Sequence, residues 1–202
     1  NYAATPMRLA RAGMESELAH IHYQASHLLD QAIESTGISR TTLSKMGCLP
    51  PLVASYVADA APDYDNARRQ YEQLIAVQID YVDGFLADTM SNLTEMSAVR
   101  DALVAANQPV RIGITLEDDS SNRLRSGEPL SYAIEVLADG PLESVMINCS
   151  QPETIPTALS ELAKLGCSYG AYANGFKSIA PLRPGGTVRD LESRRELDAE
   201  TY

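Results

Sequence analysis

Residues 82–116 read VDGFLADTMSNLTEMSAVRDALVAANQPVRIGITL, and this stretch decides the fold. Val82 to Ala87 is a short apolar run with Gly84 inside it. Asn92 to Ala106 follows, with Leu93, Met96, Val99 and Leu103 at three- and four-residue steps, the spacing of one helical face. Val110 to Leu116 is apolar again. Strand, helix, strand in so short a span is a βαβ unit, which sets two parallel strands side by side through a right-handed crossover.

The same alternation extends in both directions. Downstream, Pro129 opens a helix to about Ala138, Val145-Met146-Ile147 is a strand, Pro156 to Leu165 a helix and Tyr169 to Ala173 a strand. Ser178 to Arg195 reads as a loop, and Leu197 to Glu200 begins another helix. Upstream, Tyr64 to Gln78 is helical and Thr41 to Gly47 is a strand candidate weakened by Lys45. Before it, Leu18, Ile21, Ala25, Leu28, Leu29, Ala32 and Ile33 stripe a long helix that Gly37 terminates, and Thr5-Pro6 is a helix start. The strands are short apolar runs, as expected where both sheet faces are covered. No G-x-G-x-x-G or P-loop marks a nucleotide-binding sheet. Loops after the strands are long and polar while those before them are short, which suits a barrel whose chemistry sits at the C-terminal strand ends. The expectation is an α/β chain, one (β/α)8 TIM barrel domain over residues 1–202, lacking the first two strands and the last.

Both ends read as cut, the chain opening at Asn1-Tyr2-Ala3 and closing at Glu200-Thr201-Tyr202 inside a helical turn. Open sheet edges then favour association with further copies, and Val110, Ile112 and Ile114 are expected to be poorly covered.

Sixteen Lys and Arg stand against twenty-seven Asp and Glu, a formal net charge of −11. Such a chain repels phosphate backbones and anionic lipid, which argues against nucleic acid and membrane surfaces as partners. No apolar run approaches the ~20 residues needed to span a bilayer. Three Cys is too sparse a count for a disulfide framework and fits a reducing, cytoplasmic interior.

Cys149 is the most informative residue. It follows Val145 to Asn148 at a strand's C-terminal end, where a thiol serves as metal ligand, as nucleophile or simply as a small buried group. Cys48 reads as lying just past a strand end, in a packing role, and Cys167 lies before a strand on the opposite face. Asp88-Thr89 ends the Phe85-Leu86-Ala87 strand; its carboxylate either holds an ammonium group or caps the next helix. Glu117-Asp118-Asp119 reads as a solvated turn. His20, His22 and His27 share one helix, and no pair has the four-residue spacing of a metal site.

Five runs in order resemble the homocysteine S-methyltransferase family. They are Gly47-Cys48-Leu49-Pro50-Pro51-Leu52, the span Asp83 to Glu95, Leu124 to Leu130, Asn148-Cys149-Ser150-Gln151-Pro152-Glu153 and Gly170 to Phe176. The resemblance implies a (β/α)8 barrel and zinc-dependent transfer of a methyl group from a sulfonium or quaternary ammonium donor to the thiol of homocysteine, giving methionine. It implies Cys149 as one zinc thiolate beside Asn148 on the substrate side. It also implies a Gly-Gly-Cys-Cys motif for the other two thiolates, which this sequence does not contain, so that activity belongs to a longer parent. Asp88 stands where the family has Glu to hold the amino group of homocysteine, and Tyr2 falls at the aromatic position lining the methyl-donor side. The rival reading is a non-catalytic barrel or inactive fragment without the Cys-Cys ligands.

Overall fold

The computed structural model describes residues 1–180, 182 and 188–197. Its strands are β1 (Met46–Leu49), β2 (Gly84–Met90), β3 (Val110–Ile114), β4 (Leu142–Asn148) and β5 (Ser168–Tyr172). Among the described residues they form a single parallel sheet in chain order, β1-β2-β3-β4-β5. Unbroken chain order is the wall of a barrel; a doubly wound sheet reverses its order at a switch point. The alternation therefore builds the expected architecture as an arc of five strands.

Local chemistry places the helices between them: α1 (Pro6–Arg11), α2 (Leu18–Thr36), α3 (Tyr64–Ala76), α4 (Leu93–Ala105), α5 (Leu130–Ala138) and α6 (Ile155–Leu162). Side-chain oxygens of Thr5, Asp63 and Asn92 accept the free backbone N–H groups of Arg8, Asn66 and Glu95 at three helix starts. Gly37, at φ 69°, ends α2 in the left-handed conformation that a side chain would disfavour. The core lies between sheet and helices, where Phe85, Ala87, Ile112, Ile114, Val145 and Ile147 are buried with Leu74, Met96 and Leu103. The intervening strand residues Cys48, Leu86, Asp88 and Met146 point to the other face, the barrel interior, and are half-buried.

Three expectations change. The strand expected over Thr41 to Gly47 lies further along the chain: Arg40–Thr42 is a 3-10 turn, and only Met46 and Gly47 of that run pair with β2. Thr41 to Lys45 is too polar to enter the sheet, and Lys45 instead spends its ammonium on Asp30 of α2 at 2.7 Å. Cys48 consequently lies within β1 and not past its end. Val110, Ile112 and Ile114 are fully buried, because α4 packs across β2 and β3. Apolar surface is instead bare on α2, among other places, where Leu28 is 62% and Leu29 42% exposed and His22 is the buried residue. Polar ties hold that helix: the Lys45 pair and a 2.9 Å hydrogen bond from His22 Nε2 to the Ala4 carbonyl. The expected helix from Leu197 to Glu200 falls, past Leu197, outside the described residues. Among the described residues no helix is long and apolar enough to cross a membrane.

Candidate active site

At the C-terminal edge of the sheet, β2 and β3 fall out of register. Ala87 pairs with Ile112 and Met90 with Ile114, so Asp88 and Thr89 together oppose Gly113. Such a bulge re-aims side chains, and Thr89 takes a left-handed φ of 61° within it. The turn after β4 is bent in the same way, with Cys149 at φ 51°. Strained backbone of this kind persists only where its surroundings hold it. Cys149 is held at both ends of its peptide: its N–H donates to the Tyr172 carbonyl at 3.0 Å, and its carbonyl accepts from Asn174 Nδ2 at 2.9 Å.

The two bends bring Asp88, Asn148 and Cys149 together. Asn148 Nδ2 donates to Asp88 Oδ1 and to Thr89 Oγ1, both at 2.8 Å, and lies 3.4 Å from Cys149 Sγ. The Thr89 hydroxyl in turn donates to Cys149 Sγ at 3.7 Å. Asn148 is fully buried, and its side-chain carbonyl oxygen has no hydrogen-bond partner among the described residues. From β5 the Tyr172 hydroxyl donates to the same Asp88 oxygen. Burial, and then the Asp88 carboxylate, push the Tyr172 phenol above its ordinary range, so it stays protonated and can only donate to that carboxylate.

Tyr2, expected on the donor side, reaches the same cluster. Its hydroxyl pairs with Ser55 Oγ at 2.7 Å, and burial pushes the phenol up to about 12 despite hydrogen bonds to Ser55 and Thr89. The Arg8 guanidinium lies over its ring, 5.7 Å from the centroid. Tyr56 occupies a left-handed φ of 67°, and burial followed by the neighbouring Cys149 thiol raises its phenol. Arg125 lies 5.2 Å over the centre of its ring. Beside them opens a cleft of about 430 Å³ lined by Tyr56, Glu117, Asp118, Arg125 and Ile179 among others. Arg125 binds Asp118 at 3.0 Å and approaches Glu117 at 3.9 Å, so two of the three acids read as a solvated turn face this guanidinium.

Sequence reasoning missed Tyr56 and Tyr172 as members of the cluster, and it named Thr89 beside Asp88 without giving it a role. Tyr172 lay inside the Gly170 to Phe176 run and at a strand end, a signal of the same kind that singled out Cys149. Nothing in the sequence around Tyr56 distinguishes it. Cys48 is near the site, but burial pushes its thiol up to about 11, which keeps it a neutral packing group.

A catalytic zinc site takes three protein ligands and an open position. Among the described residues no three His, Cys, Asp or Glu side chains form a group that could hold a metal ion. The described residues therefore contribute at most one thiolate, Cys149, and do not complete such a centre.

A thiol, a carboxamide and a carboxylate gathered at the C-terminal strand ends of a parallel arc are the arrangement of a (β/α)8 barrel enzyme. The family is more specific: the homocysteine S-methyltransferase family model matches residues 1–199, and the chain belongs to that family. No curated protein matches the sequence. Among solved structures, the metallated form of the homocysteine methyltransferase MmuM from Escherichia coli superposes with a TM-score of 0.69 at 18% identity, over 85% of this chain and 72% of that one. The oxidized form gives 0.68 over the same shares, and the apo form 0.60 at 16% identity over 78% and 68%. At such identities the likeness is one of fold.

Proposed function

We propose that the chain carries the acceptor side of a methyl transfer to the thiol of homocysteine, giving methionine, with a sulfonium or quaternary ammonium compound as donor. The observation that carries this reading is the convergence of Asp88, Asn148 and Cys149 at one point from two strands. Homocysteine is a short aminothiol. Asp88 and Asn148 offer acceptors to its ammonium, while Cys149 marks the place of its sulfur. The strained turns at Thr89 and Cys149 keep these groups in position before substrate arrives, which lowers the entropy lost on binding.

We assign zinc as the metal of this centre and Cys149 as one of its thiolates, with the remaining ligands outside the described residues. Zinc, when bound, supplies acidity to the acceptor thiol. The domain reading behind this is one barrel domain wanting its first two strands and its last. The aromatic rings support the choice of donor. Tyr2 and Tyr56 each accept a guanidinium over one face, so their π-systems already attract cations in this fold.

The test is Asp88→Ala in the full-length protein, assayed with homocysteine and with a thiol acceptor lacking the amino group. A charge-assisted hydrogen bond contributes roughly 1.5–3 kcal/mol net. The substitution should lower kcat/KM for homocysteine by about 10- to 150-fold with bound metal unchanged, and leave the amino-free thiol unaffected. Equal losses with both acceptors would make Asp88 a structural group at the start of α4 and remove the reading.

A further inference from the structure

We propose that Tyr172 is a specificity-determining positioning residue for the acceptor: its phenol fixes the Asp88 carboxylate that receives the substrate ammonium beside the Asn148 side-chain carbonyl. This rests on the acceptor reading above and adds a residue and a geometry to it.

The argument starts from an unmet acceptor. Asn148 Oδ1 is buried with no donor among the described residues, and a buried carbonyl left unpaired costs free energy that an arriving N–H group recovers. The carboxamide cannot solve this by turning over. Its Nδ2 is committed to Asp88 Oδ1 and Thr89 Oγ1, and the flipped amide would set its carbonyl against a carboxylate. The orphan oxygen therefore belongs to the site as built.

Gly113 lets the two acceptors lie side by side. A Cβ at this position would press on Asn148 Oδ1 at 3.0 Å and on Asp88 Oδ1 at 3.2 Å, so both side chains pack directly over the glycine. Two neighbouring oxygens, one of them carrying charge, suit an ammonium group better than a neutral donor. The other edge of the same carboxamide is 3.4 Å from Cys149 Sγ, which places the amine and sulfur of one short molecule at opposite sides of Asn148.

Tyr172 then decides how Asp88 is held. Its hydroxyl and Asn148 Nδ2 both donate to Oδ1, which fixes the carboxylate and leaves Oδ2 uncommitted to either of them. Tyr172 also holds Cys149 through its own carbonyl, so one residue of β5 sets both ends of the acceptor's path. Its ring is 41% exposed on the outer strand of the described sheet, where loss of a hydroxyl leaves packing intact.

Tyr172→Phe and Asp88→Ala, each in the full-length metal-loaded protein, are assayed with homocysteine and with a thiol lacking the amino group. Tyr172→Phe should raise KM for homocysteine about 3- to 10-fold, the effect of one hydrogen bond, with kcat within about twofold and the amino-free thiol unchanged. If Asp88→Ala is selective for homocysteine and Tyr172→Phe is silent, the positioning role is refuted while the acceptor reading stands. If neither variant distinguishes the two thiols, both fail together. An equal loss on both thiols in Tyr172→Phe would make it a structural residue and likewise overturn the proposal.

Discussion

Glu95 offers the sharpest test of how the site is held. This carboxylate is 1% exposed at the start of α4. Its Oε1 accepts the Leu52 N–H at 2.7 Å and the Tyr71 hydroxyl at 2.9 Å, and Asn92 Nδ2 lies 3.4 Å from Oε2. Burial raises its pKa while these hydrogen bonds oppose the shift. Leu52 belongs to the loop after β1, and the Leu52 carbonyl in turn accepts from Thr5 at 2.7 Å. Arg8 reaches the Pro51, Val53 and Tyr2 carbonyls of the same assembly. Glu95 is thus the inner anchor of the loop that carries Ser55 and Tyr56 to Cys149, and Tyr2 is tied to that loop through Ser55. Glu95→Ala strands the buried Leu52 N–H and removes a charge-assisted bond, together about 3–5 kcal/mol. Tyr71 loses less, because its hydroxyl retains the Pro50 carbonyl at 3.0 Å. Glu95→Gln keeps one acceptor oxygen of the same shape and should cost about 1–2 kcal/mol. Denaturant midpoints at constant slope measure both, and hydrogen exchange at Leu52 should accelerate in the Ala variant ahead of the sheet amides. A loss below about 0.5 kcal/mol in Glu95→Ala, within the range of ordinary surface changes, would refute the anchor argument.

Two further outcomes are expected. The full-length protein should hold about one equivalent of zinc, Cys149→Ser should abolish tight binding measured by metal analysis, and Cys167→Ser should leave it unchanged; this follows the three-ligand logic of such sites. His22, buried against the Ala4 carbonyl, has its pKa lowered chiefly by burial, so the unfolded chain binds the extra proton first. Stability should therefore be full above the ordinary histidine pKa and fall as pH drops below it, and His22→Gln should flatten that part of the denaturation profile; an unchanged slope would show that another group titrates there.

Much of the fold was legible because its signals are local. The strand and helix periods of residues 82–116 and the caps at Thr5 and Asn92 depend on neighbours within a few positions. Strand order follows from short right-handed crossovers. Strand bounds were less legible: Thr41 to Gly47 carries a weak apolar pattern, and only the contact of Lys45 with Asp30 and the register with β2 show where pairing begins. The α2 stripe is a true helical periodicity, yet a stripe states what a helix can bury and not what lies against it; Leu28 and Leu29 are exposed all the same.

For the site, the sequence by itself determined the residues near the C-terminal ends of strands, the Asn148-Cys149 pair and Asp88, although β2 runs on past Asp88 to Met90. Which of them touch was decided only by tertiary structure. The Asp88 to Asn148 bond spans 60 residues and the Asp88 to Tyr172 bond 84. Both depend on a bulge opposite Gly113 and on left-handed turns at Thr89 and Cys149, none of which has a residue signature, because none of these strained positions is a glycine. Tyr56 makes the same point: it meets Cys149 only because the loop after β1 is pinned from beneath by Glu95, a contact between segments that no local pattern encodes.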